Sequence, residues 1–142
     1  MSDVSVGFTG TQEGMTEHQY DKVRILLIEL TPREARHGMC IGADEQFHDI
    51  CRELGIYIIG HPGIDKDGKS SKRGECDVDE IKPELPYLER NAHIVKESQI
   101  LIATPKGFYE ELRSGTWSTI RKARKKNRTT FIILPDGNMS NL

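Results

Sequence analysis

The chain has 142 residues, 36% hydrophobic and 30% charged, which suits one compact domain around a single core and leaves little room for a second. A formal net charge of −2 gives no global electrostatic pull toward nucleic acid. The start, Met1-Ser2-Asp3-Val4-Ser5, lacks a basic segment followed by an apolar one, and no apolar run approaches the roughly 18 residues of a membrane span. A cytoplasmic protein with no membrane contact is therefore expected. Three cysteines, Cys40, Cys51 and Cys76, show no CxxC spacing, which argues against a disulfide framework or a structural zinc.

Val4 to Phe8 reads as a first strand, followed by the small-residue loop Thr9-Gly10-Thr11. Thr16-Glu17-His18-Gln19 fits a capping box, and Val23, Leu26, Leu27 and Leu30 then recur at i, i+3, i+4 and i+7 until Pro32 stops the helix. Glu34 to Cys40 is a short second strand, and Ile41-Gly42-Ala43-Asp44 turns into a second helix with the stripe Phe47, Ile50, Cys51 and Leu54 and a stop at Gly55. Ile56 to Ile59 is a buried strand ending at Gly60-His61-Pro62-Gly63.

The polar segment from Ile64 to Pro86 is long enough to be a mobile lid or an active-site loop. Tyr87 to Ser98 reads as a third helix, with Leu88, Ala92 and Val95 on its inner face and Glu89, His93 and Lys96 opposite. Gln99 to Ala103 is the fourth strand, Thr116 to Lys126 the fourth helix with Trp117 on its apolar side, and Thr129 to Leu134 the last strand. Strands and helices alternate throughout. The pattern predicts a Rossmann-like, doubly wound α/β fold with five parallel strands in the order 3-2-1-4-5.

That order places a ligand beyond the C-terminal strand ends, between strands one and four. Arg113-Ser114-Gly115-Thr116-Trp117 opens the helix after the fourth strand. Its free N–H groups, its glycine and its two hydroxyls suit a phosphate. With Gly10, Thr11, Gly42 and His61 on the same edge, two small-residue loops point to a nucleotide rather than a lone anion. Asp44 is read either as an N-cap or as a carboxylate aimed at ribose hydroxyls.

Arg90 and Asn91 are exposed-type residues that could instead serve a phosphate and a base or sugar. Glu110 and Glu111 are the carboxylates best placed for chemistry at an anomeric carbon. His37, Cys40, His48 and His61 show no ligand spacing, so neither a metal nor another cofactor is expected. The basic run from Arg121 to Arg128 reads as a solvated helix end, with nucleic acid a lesser alternative.

Phe8-Thr9-Gly10-Thr11, His37-Gly38-Met39-Cys40-Ile41-Gly42-Ala43-Asp44, Tyr87-Leu88-Glu89-Arg90-Asn91 and Leu112-Arg113-Ser114-Gly115-Thr116-Trp117 together resemble the SLOG superfamily. That superfamily includes cytokinin-activating phosphoribohydrolases, the DNA-processing protein DprA and molybdenum-cofactor carrier proteins. The resemblance covers nearly the whole chain and is greatest to short members found in bacteria and phages. It implies a nucleotide or nucleotide-derived ligand at Gly10, Thr11, Gly42, Asp44, Ser114, Gly115 and Thr116, and a homodimer.

The phosphoribohydrolases carry a PGGxGTxxE motif whose glutamate acts in N-glycosidic cleavage. Here Gly115-Thr116 match its GT, whereas Thr119 stands at the glutamate position. The expectation is a nucleotide-binding protein that hydrolyses an N-glycosidic bond through Glu111, Glu110 or Asp44. A non-catalytic nucleotide sensor or scavenger is the alternative, and DNA binding a third.

Overall fold

The computed structural model describes residues 2–140; Met1, Asn141 and Leu142, which the sequence reading assigns to the same domain, lie outside the described residues. The first strand, β1 (Ser5–Gly10), leads into α1 (Glu17–Leu30) through the capping box read from sequence. The Gln19 N–H donates to Thr16 Oγ1 (3.1 Å), and Gln19 Oε1 accepts the Thr16 N–H (3.0 Å). After α1, Thr31 adopts a left-handed φ of 42° and Pro32 prevents continuation.

The chain then runs through β2 (Glu34–His37), α2 (Ala43–Glu53) and β3 (Tyr57–Gly60). Short strands β4 (Gly63–Ile64), β5 (Glu80–Ile81) and β6 (Leu85–Pro86) follow. The last part comprises α3 (Tyr87–Glu97), β7 (Ile100–Thr104), α4 (Gly115–Lys125), β8 (Thr129–Ile133) and β9 (Met139–Ser140).

The main sheet runs β5-β3-β2-β1-β7-β8-β9, all parallel except the β8–β9 pair. Its centre is the expected five-strand order, β3-β2-β1-β7-β8. The two additional strands are two residues long, one at each edge, too short to leave a periodic signal in sequence. The fold is thus the expected α/β Rossmann-like single domain, with seven strands instead of five.

Period-two alternation in β7 explains its unbroken apolar run. Ile102 packs with Val6, Leu26, Leu27, Phe47 and Ile50 under α1 and α2. Leu101 and Ala103 pack with Val95, Trp117, Ile120 and Ala123 under α3 and α4. Trp117 and Cys51 are core residues, as their patterning indicates.

The buried face of α3 is not the expected Leu88, Ala92 and Val95 face. Leu88 is 63% exposed, and the buried residues are Arg90, Asn91, Ile94 and Val95. The helix turns its polar Arg90-Asn91 pair inward because that pair forms part of the cleft described below. The segment from Ile64 to Pro86 also departs from a plain loop. Its β5 extends the sheet, β4 pairs with β6, and Arg73 forms a bridge to Cys40.

Candidate nucleotide-binding cleft

The reversal of strand order lies between β1 and β7, and beyond their C-terminal ends opens a cavity of about 620 Å³. Five chain segments wall it, one of them contributing Lys72 from between β4 and β5. Thr9 to Glu13 leave β1, Gly38, Cys40 and Asp44 follow β2, Tyr87, Arg90, Asn91 and Ile94 come from α3, and Lys106, Glu111 and Arg113 to Thr116 follow β7.

Gly10 is required by the close approach of elements. A Cβ there would sit 2.4 Å from Thr104 Oγ1 and 2.5 Å from Ala43 Cβ. Thr11 ties three segments together: its N–H donates to the Thr104 carbonyl (3.1 Å), and its own carbonyl accepts the Ala43 N–H (3.0 Å). Gly42 is a positioning residue outside the cavity wall. It has a φ of +85°, and a Cβ would meet the Gln12 carbonyl oxygen at 2.2 Å.

Asp44 does not cap its helix, contrary to one sequence reading. Gly42 is the N-cap, and its N–H donates to Glu45 Oε1 (3.0 Å). Asp44 sits in the first turn, where its Oδ2 accepts the N–H groups of Gly38 and Cys40, both at 3.1 Å. The carboxylate thereby shapes the loop after β2. Burial raises its pKa to about 6, against the opposing charge of Arg90 and the two backbone donors.

Because the folded carboxyl holds its proton more tightly than the unfolded one, the native state binds more protons between about pH 4 and pH 6. Asp44 therefore makes the fold less stable as pH rises through that window. Denaturant titrations at pH 4 and pH 7 should show wild type losing stability relative to Asp44→Asn as pH rises; a constant difference would refute this assignment.

Arg90 and Asn91 are buried, not surface polar groups. Arg90 Nη1 donates to the carbonyls of Gly38 (2.7 Å) and His61 (3.1 Å), and Nε donates to Asn91 Oδ1 (2.8 Å). Its guanidinium is thus largely committed to the protein. It joins α3 to the loops after β2 and β3 and is not free to clasp a phosphate. Asn91 accepts from Arg90 and retains its amide donors at the cavity wall.

His61 lies beneath the cleft and does not line it. Arg36 Nη1 donates to its Nε2 (3.0 Å), and burial, with the nearby cations, lowers its pKa to about 3. His61 is therefore neutral near pH 7.

The start of α4 is where the sequence reading expects an anion. Ser114 is the N-cap, its Oγ accepting the Trp117 N–H (3.2 Å), while its carbonyl takes the Ser118 N–H (2.9 Å). This leaves the N–H groups of Gly115 and Thr116 without intrahelical partners, both at the cavity wall. The first turn carries no acidic residue to compete with an anion. Arg113 and Lys106, absent from the sequence-based set, add cations on the same wall.

The two glutamates separate. Glu110 pairs with Arg121 (2.9 Å) and Arg124 (3.8 Å) and is not among the cavity-lining residues; Glu111 reaches the rim. Thr119, at the glutamate position of the hydrolase motif, is fully buried and donates its hydroxyl to the Gly115 carbonyl (3.0 Å). Asp44 is left as the buried carboxylate in the cleft.

A separate cluster brings His37, His48 and Cys76 ligand atoms within 4.8 Å of one another. His37 Nδ1 accepts the Met39 N–H (2.9 Å), so its Nε2 bears the proton shared with His48 Nδ1 at 3.1 Å. That tautomer leaves His37 no lone pair for a metal. Burial lowers the His37 pKa to about 3, in keeping with a neutral ring. The basic end of α4 is also partly engaged: Arg121 holds Glu110, and Arg128 donates to the carbonyls of Val95 and Lys96.

No protein-family model and no curated protein matches the sequence. Solved structures do share its fold. The molybdenum cofactor binding protein of the phototrophic bacterium Rippkaea orientalis superposes with a TM-score of 0.68 at 19% identity, over 94% of this chain and 78% of that one. The protein TM1055 gives 0.61 at 15% identity, over 89% and 72% respectively. DNA processing protein A (DprA) of Streptococcus pneumoniae gives 0.65 at 20% identity, over 92% of this chain and 50% of that one.

The chain shares the Rossmann-like α/β fold of these three proteins. At these identities the likeness concerns the backbone and not its ligand. Among the described residues, no helix is long and apolar enough to cross a membrane.

Proposed function

We propose that the chain binds a nucleotide or nucleotide-derived small molecule in this cleft, with the phosphate at the start of α4. The observation that carries this reading is the pair of unpartnered N–H groups at Gly115 and Thr116, opening into a 620 Å³ cavity whose wall also holds Asp44. Ser114, Thr116, Arg113 and Lys106 complete the phosphate seat, and Asn91 and Asp44 face the ribose. A molybdenum cofactor binding protein among the structural neighbours supports a small-molecule binding role.

A second reading, hydrolysis of the N-glycosidic bond, rests on Asp44. A buried carboxyl with a pKa near 6 can exchange a proton close to neutral pH, which a general acid–base group requires. Against it stands Thr119, whose hydroxyl is turned back to its own helix in place of a glutamate. The binding reading is therefore preferred.

Incubating the protein with the nucleoside 5′-monophosphates, and measuring both binding and released base, separates the two. Binding without base release is expected. Base release abolished by Asp44→Asn would establish the hydrolase, and failure to bind any of the nucleotides would contradict both readings.

A further inference from the structure

The segment from Lys106 to Arg113, between β7 and α4, has an unusual surface. Phe108 is 51% exposed, Tyr109 84% and Leu112 86%. Large apolar side chains gathered on one short loop mark a surface that meets something. The same loop sends Lys106, Glu111 and Arg113 to the cavity wall, while Phe108 and Tyr109, between them in sequence, do not line the cavity in this state.

It is attached mainly through side chains: Arg121 donates to Glu110 Oε2 (2.9 Å) and to the carbonyls of Glu111 (3.4 Å) and Leu112 (3.0 Å), Arg124 lies 3.8 Å from Glu110, and Lys106 lies 3.7 Å from Glu13. On the other side lies a second hollow of about 340 Å³, between the loop and the start of α1, lined in part by Lys106, Gly107 and Glu111. The loop is a strap with open space beneath it.

Among the described residues, the aromatic rings lining the cavity, Phe8 and Tyr87, offer no free face for a base. The Phe8 ring is 1% exposed and stacks on Phe47 at 4.3 Å. The Tyr87 ring has Lys72 Nζ 5.1 Å and Arg90 Cζ 5.3 Å from its centroid. Phe108 and Tyr109 are the exposed rings on the strap.

We infer that the strap from Lys106 to Arg113 closes over the bound nucleotide, Tyr109 and Phe108 providing the surface on which its base stacks. The inference rests on the nucleotide reading above and adds to it the part of the site that recognises the base. Stacking on an aromatic side chain tolerates any base, so the strap selects for a flat heteroaromatic group over a bare sugar phosphate.

The test compares adenosine 5′-monophosphate with ribose 5-phosphate by calorimetry, on wild type and on the double variant Phe108→Ala/Tyr109→Ala. Both residues are exposed, so an unchanged melting temperature checks the fold. The double variant should bind adenosine 5′-monophosphate about tenfold more weakly or worse, with ribose 5-phosphate affinity unchanged. Unchanged affinity for the nucleotide, an equal loss on both ligands, or a wild type that does not distinguish the two would overturn the strap while leaving phosphate binding in place. A wild type that binds neither would overturn the nucleotide reading and the strap with it.

Discussion

Gly115→Asp is expected to weaken nucleotide binding by about a hundredfold while leaving the fold at least as stable as before. A Cβ at Gly115 meets nothing within 4 Å, so the substitution introduces no clash. The residue opens α4, where a carboxylate is favoured by the helix dipole and stabilises by about 0.3–1 kcal/mol. The same carboxylate occupies the seat proposed for phosphate and repels it. Loss of a charge-assisted contact together with added repulsion amounts to about 3 kcal/mol, or roughly two orders of magnitude in affinity. Calorimetry measures the affinity, and thermal unfolding the stability. Retained affinity in a stable variant would remove α4 from the binding site.

Arg90→Ala should be the most damaging single change to the cleft, destabilising the protein by about 3–5 kcal/mol, as when one partner of a buried charged network is removed. Three consequences act together. The Gly38 and His61 carbonyls lose their donor, Asn91 loses the group that orients it, and Asp44 loses the cation that opposes its burial. The Asp44 pKa then rises further above 6, extending its destabilising window toward neutral pH. Arg90→Lys should recover little, because an ammonium group cannot span two carbonyls and the Asn91 amide with a planar fork. Denaturant unfolding measures the loss; a change below 1 kcal/mol would contradict a structural role for the buried guanidinium.

Much of the fold can be read from sequence where one physical signal dominates. The Thr16–Gln19 capping box, the stripes of α1 and α2 and the stop at Gly55 are local, and the structure reproduces them. The central strand order follows from alternation and crossover handedness. The site was less legible because it depends on partners distant in sequence. Arg90 and Asn91 look like surface residues until the carbonyls of Gly38 and His61 come to meet them. Glu110 looks free until Arg121, on the far side of the turn into α4, draws it outward.

Other site residues differ in how far they could have been foreseen. Lys106 directly follows a buried strand at the expected ligand edge, a signal available in the sequence. Lys72 reaches the cavity because its polar segment pairs with the loop after β2, which no local pattern announces. Thr119 gave the clearest chemical signal: the sequence raised doubt about the hydrolase, and the buried hydroxyl bonded to Gly115 gives that doubt a geometry.

In the proposed site the start of α4 binds the phosphate of a nucleotide whose remainder lies in the cleft. The most direct measurement is calorimetric titration of the wild-type protein with adenosine 5′-monophosphate and with adenosine. The nucleotide should bind at least about a hundredfold more tightly, since charge-assisted contacts to the phosphate are made by it alone. Equal affinity for the two, or no binding of either, would contradict the claim.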